Sequence, residues 1–302
     1  MSTGKIGAQE RILEVLRQVR SSSTRTKGSI LAIPPIVFIL SMFVVPLLSI
    51  INISFRVSQG VRIGSELTLN NFVTVLTQGT FREALFTSVT VAVLATFISL
   101  LFALPVSYYL AIHVSDSIRN ILLFLVIAPL WINFYVRAFA IIQITGTRGI
   151  LNQLLTSIGL IEEPYRGLIY SEPSVVLGLV YVWLPLMILP IYASLRHLNP
   201  EWLSAARDLG AGTLRTHYEV TLPVALPGII LGTLFVFLLS FGNRAVAEMI
   251  GGAKTVPYTQ TIVNQMQGGN WPTAAAGSVV MMLFVIVVLL GVFSVFDMEE
   301  LF

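Results

Sequence analysis

The stretch NPEWLSAARDLGAGTLRTHYEVTLPVALPG, Asn199 to Gly228, decides how the chain is read. It is the longest strongly polar, patterned segment between two long apolar runs. Asn199 is suited to cap a helix, Pro200 to fill the first helical position, and Glu201 to complement the positive helix start. The spacing predicts a helix over Glu201–Leu209 that stops at Gly210, the residue type that best tolerates a left-handed cap. Gly212 permits a second bend, and Thr213 is placed to cap a short helix from Leu214 to about Val220. Pro223 and Pro227 are then expected to break the chain as apolar sequence resumes. A short helix, a glycine corner and a second short helix form one projecting unit. A chain built mostly of long apolar helices has cause to keep such a unit when something docks on it.

The surrounding composition sets the class. Of 302 residues, 55% are hydrophobic and 11% charged, and the mean hydropathy is +0.85. Soluble domains carry about a quarter charged residues, so this is a polytopic membrane protein. Six apolar runs approach or exceed the ~20 residues that cross a bilayer. They cover roughly Ile30–Phe55, Ala84–Ile112, Ile118–Thr145, Ser174–Leu195, Ala225–Ala247 and Pro272–Phe296. Runs of this length are helices, because open strand edges cannot face lipid. The expected fold is therefore all-α with six transmembrane helices. Residues 1–29 form a tail, residues 30–302 a transmembrane domain, and 196–224 the projecting loop.

Charge orients the chain. The tail holds Lys5, Arg11, Arg17, Arg20, Arg25 and Lys27. With Arg119, Arg196, Arg207 and Arg215 it makes one side of the membrane richer in cations than the other, where Arg56, Arg62, Arg148, Arg166 and Lys254 fall. The positive-inside rule places the tail, the projecting loop and both termini in the cytosol. That explains a pI near 9.3 through membrane orientation, with no nucleic-acid partner. Ile12, Val15, Leu16 and Val19 share one helical face, so the tail is either an amphipathic helix on the inner leaflet or a basic tail that sets topology. The first apolar run is too long for the core of a cleaved signal peptide.

The loop carries a resemblance. Ala205, Ala206, Gly210, Val220, Leu222 and Pro223 stand at the gaps found in permease subunits of ATP-binding-cassette (ABC) importers. That family's loop reads Glu-Ala-Ala, three residues, Gly, nine residues, an aliphatic residue, any residue, then Leu-Pro. Ser204 stands where the family usually has Glu, which removes one ion pair to the ATPase and keeps the register. The coupling-loop residues implied by the resemblance are Ser204, Ala205, Ala206, Asp208, Gly210, Val220, Leu222 and Pro223. It further implies a type I importer permease fold in the bacterial inner membrane. The implied partners are a cytosolic ATPase dimer, a second permease subunit in a heterodimer, and an extracytoplasmic solute-binding protein.

Other chemistry is sparse. The chain has no phosphate-binding Gly-rich Lys-Ser/Thr loop, so ATP and Mg are expected on the partner ATPase and no cofactor on this chain. His113, His197 and His217 lack metal-ligand spacing, no metal site is expected, and there is no cysteine. No nucleophile elbow or carboxylate pair marks an enzyme. Mid-span acids are nearly absent, against an ion-gradient-driven secondary transporter.

Polar residues at membrane depth are the pathway candidates. In the third run these are Trp131, Asn133, Tyr135 and Arg137. At the end of the fifth they are Asn243, Arg244 and Glu248. Arg137 is open to two readings, a pathway residue or a tie to backbone carbonyls. Arg244 and Glu248 lie four apart and are placed to pair on one helix face. Pro129-Leu130-Trp131, Val136-Arg137, Ile250-Gly251-Gly252 and Gly269-Asn270-Trp271-Pro272 resemble the polyamine branch of these permeases, its first-subunit type. That implies a small amine-containing solute such as spermidine or putrescine. Relatives often read Gly-Asp-aromatic where Gly242-Asn243-Arg244 stands, so an unpaired Arg244 would favour an anionic or zwitterionic solute such as an opine or aminophosphonate.

Overall fold

The computed structural model describes residues 33–165, 167, 169–252 and 255–295. The tail, with its Ile12–Val19 stretch, and the last seven residues lie outside these. The first span is α1 (Ile33–Ser54), and none of its apolar window is buried within the chain. Its surface is left for lipid or for another subunit. A hairpin follows, β1 (Arg56–Gln59) antiparallel to β2 (Arg62–Leu67), and then α2 (Asn70–Thr77). The sequence suggests only a polar turn around Leu69–Phe72 here, so the two strands amend the all-helical expectation. Asn71 fixes the unit: its side-chain amide donates to the Ser54 and Arg56 carbonyls at 2.9 and 2.8 Å.

Five helices are long and apolar enough to cross a membrane, and a bent pair brings the number up to six. The unbroken ones after α1 are α3 (Gly79–Ile112), α7 (Glu172–Leu195), the run Thr213–Phe241, and α12 (Trp271–Val295). The third apolar run is not one helix. α4 (Asp116–Trp131) ends, and α5 (Phe134–Thr145) begins after a bend of 100°. Asn133 starts the new direction by accepting a 2.9 Å hydrogen bond from the Tyr135 amide, as a helix cap does. The short α6 (Ile150–Ser157) follows, within one residue at each end of the helix Leu151–Ile158 that the sequence predicts there.

α7 is the axis of the bundle and packs on α3. The loop adds α8 (Pro200–Asp208) and α9 (Thr213–Thr216), and α10 (Leu222–Phe241) is the span that follows. Pro223 and Pro227 do not break this span. Between α9 and α10, His217–Thr221 form a π-helical turn, with the Leu222 amide reaching the His217 carbonyl. The widened turn accommodates the proline ring and its missing N–H, so the helix continues. α10 meets α7 where Gly228 lies against Pro190. A Cβ there would come within 2.3 Å of the Pro190 carbonyl oxygen. Small residues that let two backbones touch are the usual basis of helix association in lipid.

Three buried clusters hold the chain. One joins Leu110, Leu195, Leu203 and Ala225 at the loop end. A second joins Val91, Ile141, Leu179 and Ile250 around the middle of α7. The third lies at the opposite end, where Val75, Phe81, Tyr258, Ile262 and Ala274 meet. Tyr258 opens α11 (Tyr258–Gln267), a helix in what the sequence offers only as a glycine-bounded connector.

Candidate functional site

The loop folds largely as its residues dictate. Asn199 accepts a 3.0 Å hydrogen bond from the Glu201 amide, and Pro200 occupies the first turn of α8. Gly210 has φ of +86°, and the Gly210 and Ala211 amides donate to the Arg207 and Ala206 carbonyls at 2.8 and 3.0 Å. This closes the helix as a Schellman motif. Thr213 is not the cap of α9: Gly212 holds that position without a side-chain bond, and Thr213 is already helical. Arg215 and Glu219 pair at 2.8 Å along the next turn, both largely exposed.

The loop is anchored on one side and bare on the other. Leu203 is buried in the cluster that also holds Leu110 and Leu195. His217 meets the Tyr108 ring edge-on at 4.8 Å and lies 3.2 Å from the Thr221 hydroxyl. Val220 packs on the same cluster, and Leu222 is partly exposed. Ser204, Ala205, Asp208, Gly210 and Pro223 are exposed, and Ala206 is half-buried. Leu209 and Leu214 are 90% and 86% exposed and Tyr218 is 73% exposed, an apolar group presented by an otherwise polar loop. Sequence reasoning passed over these three, although their apolar type within a polar segment was the available signal.

The pathway candidates divide into two groups. Trp131 and Tyr135 flank the 100° bend and are exposed, with Trp131 edge-on to Phe124 at 5.7 Å. Asn133 is the cap at the bend. Arg137 faces inward: it is 6% exposed, and its Nη1 donates to the Val182 carbonyl at 2.9 Å. Its guanidinium carbon lies 5.9 Å from the Phe134 ring centroid and 6.0 Å from that of Trp183. The geometry is that of a backbone tie reinforced by cation–π contacts, holding α5 to α7. In the second group, Asn243 accepts from the Val246 amide at 2.9 Å and starts a helical turn that ends in the π turn Ala247–Gly251. Arg244 and Glu248 pair at 3.5 Å, both partly exposed. Ile141 of α5 shares a buried cluster with Val246 and Ile250, so both segments converge on α7. Among the described residues no polar bond joins the two groups directly, and no cluster of side chains is placed to hold a metal ion.

Known proteins of the same architecture can now be set beside this one. Residues 103–298 match the family described as "binding-protein-dependent transport system inner membrane component". The spermidine/putrescine transport system permease protein PotB of Haemophilus influenzae is 35% identical over 78% of this chain and 82% of its own. PotB of Escherichia coli K12 is 37% identical over 70% of this chain and 76% of its own. The inner membrane ABC transporter permease protein YdcU of the same organism is 31% identical over 73% of each. In three dimensions, a chain of a bacterial ABC transporter involved in the import of the acidic polysaccharide alginate superposes with a TM-score of 0.72. It does so at 16% identity, over 91% of this chain and 96% of that one, a likeness of fold alone. The loop, the spans around α7 and these matches together mean that the chain belongs to the inner-membrane permease components of binding-protein-dependent ABC importers.

Proposed function

We propose that the chain is one of two permeases forming the pore of an ATP-driven polyamine importer. The observation that carries this is 35–37% identity to spermidine/putrescine permeases across most of the chain. A second permease completes the pore, an ATPase dimer binds ATP and Mg in the cytosol, and a solute-binding protein delivers the amine outside. Both termini are cytosolic in this arrangement. The exposed Leu209, Leu214 and Tyr218 support an ATPase docked on the loop, because apolar side chains on a polar element mark a contact surface. When ATP closes the dimer, the loop moves, and Leu203 carries that motion into the cluster shared by α3, α7 and α10.

Arg244 is the residue that bears on substrate charge. Left alone, a cation about 4 Å from an ammonium repels it by roughly 4 kcal/mol at an effective dielectric near 20. Its 3.5 Å partner Glu248 makes the pair neutral and removes most of that repulsion, so a polyamine remains acceptable and the lone cation that an anionic solute would need is absent. The test is uptake of labelled spermidine and putrescine by the reconstituted complex, with Glu248→Gln and Arg244→Tyr variants. Uptake that falls in Glu248→Gln and persists in Arg244→Tyr is the expected result. No polyamine uptake by the wild type or by Arg244→Tyr would defeat the reading.

A further inference from the structure

At the end of the molecule opposite the loop, a cavity of about 540 Å³ opens between the start of α3 and α11. Its chemistry differs from the apolar clefts elsewhere: Gln78, Thr87, Thr261, Asn264 and Gln265 line it, and Glu83 is its one charged residue. Among the described residues Glu83 takes part in none of the three ion pairs, which use Asp116, Glu219 and Glu248. Arg82, its neighbour in sequence, opens instead onto the adjoining cleft with Phe86 and Phe284, to which Glu83 also contributes. Glu83 lies about 40 Å along α3 from Leu110, the residue that packs under the loop.

We propose that this cavity is an entry subsite for a primary ammonium group, the first part of the permease that the incoming solute meets. An ammonium presents three donors and no acceptor. The Glu83 carboxylate neutralises the charge and accepts from it, and the Gln78 amide and the Thr80, Thr87 and Thr261 hydroxyls of the same lining offer further oxygens. The Asn264 and Gln265 amide oxygens, by contrast, already accept from Gln260 and Asn270. A divalent cation asks for more carboxylate oxygens than one Glu supplies, and an anion is repelled by that same group. The subsite deepens the polyamine reading and rests on it, because that reading supplies an amine to bind. It also separates two tasks along the path: capture by a charge at the mouth, and passage at the neutral Arg244–Glu248 pair near the bundle axis.

The chain has no cysteine, so a single introduced thiol is the one reactive site on it, and labelling is read on this chain after the subunits are separated. In the full complex in membrane vesicles, Asn264→Cys is labelled with a positively charged and a neutral methanethiosulfonate reagent. Gln267→Cys, outside the cavity lining, serves as reference. With Glu83 present the ratio of cationic to neutral reaction rates should be about two- to fivefold higher at the Asn264→Cys thiol than at the Gln267→Cys reference, the effect of one unit charge at about 4–8 Å in water. Spermidine should slow that labelling, and Glu83→Gln should abolish both the preference and the protection. A preference and a protection that survive Glu83→Gln, or that never occur, overturn the subsite. Uptake measured on the same vesicles separates the two ideas. Polyamine uptake without Glu83-dependent protection removes the subsite and keeps the importer reading. Glu83-dependent protection without uptake keeps the amine subsite and removes polyamine as cargo.

Discussion

Replacing Gly228 with alanine tests the packing on which the bundle rests. The added Cβ would lie 2.3 Å from the Pro190 carbonyl oxygen and 2.6 Å from the Ile191 Cα, both backbone atoms. Ordinary contact begins at 3.4 Å, so α10 and α7 must part locally by about 1.1 Å. A gap of 0.5–1 Å already forfeits a quarter to a half of each dispersion contact along the seam. Overpacking of this kind costs about 1–3 kcal/mol, and rigid partners put Gly228→Ala at the upper end. Gly232→Ala one turn on is the control. Its nearest neighbour at 2.7 Å is the Met187 sulfur, the end of a flexible side chain, with Met187 backbone at 3.2 Å. That change should cost less than about 1.5 kcal/mol. Thermal unfolding of the purified chain in detergent reads the difference, at about 2 °C per kcal/mol for a protein of this size. A Gly228→Ala midpoint equal to wild type, or above that of Gly232→Ala, would refute a direct backbone contact between α7 and α10.

Gly210→Ala has open space around its new Cβ and should lose only about 1–2 kcal/mol to its left-handed backbone; Gly210→Arg should insert normally yet fail to pull down the ATPase. Arg137→Lys should lower the unfolding midpoint almost as much as Arg137→Met, by about 1.5–3 kcal/mol, because an ammonium lacks the planar guanidinium that stacks with Phe134 and Trp183 while reaching the Val182 carbonyl; full recovery with Lys would mean charge alone matters. Single cysteines at Ser22 and Thr213 should label only from the cytosol, and one at Gln267 only from outside; outside labelling at Thr213 reverses the topology.

Where a residue type has a local reason, the sequence was legible. Span positions followed from run length, and the Asn199 cap, the Pro200 start and the Gly210 corner follow from conformations that few other residues take as readily. Pro129, one of the prolines inside the apolar runs that mark kinks or breaks, and the polar Asn133 bracket the bend after Trp131. Its 100° angle was hidden because apolar sequence continues on both sides and hydropathy carries no direction. α11 was hidden for the opposite reason, since a ten-residue polar helix resembles a connector until Tyr258 and Ile262 are seen to pack on Phe81. The two readings of Arg137 could be separated only by packing, because a carbonyl acceptor 45 positions away leaves no trace in local pattern. Pro223 misled because its usual effect on a helix was absorbed by the π turn immediately before it.

That π turn has a mechanical consequence. It makes Thr213–Phe241 one continuous rod, with one end in the loop and the other beside the segment that carries Asn243 and Arg244. Gly228, wedged on Pro190, lies near its middle, about 22 Å of helix from Thr213 and about 20 Å from Phe241. The contact divides the rod into two nearly equal arms. A tilt of the rod about this point would move its two ends in opposite directions by almost the same distance, with neither gain nor loss along the lever.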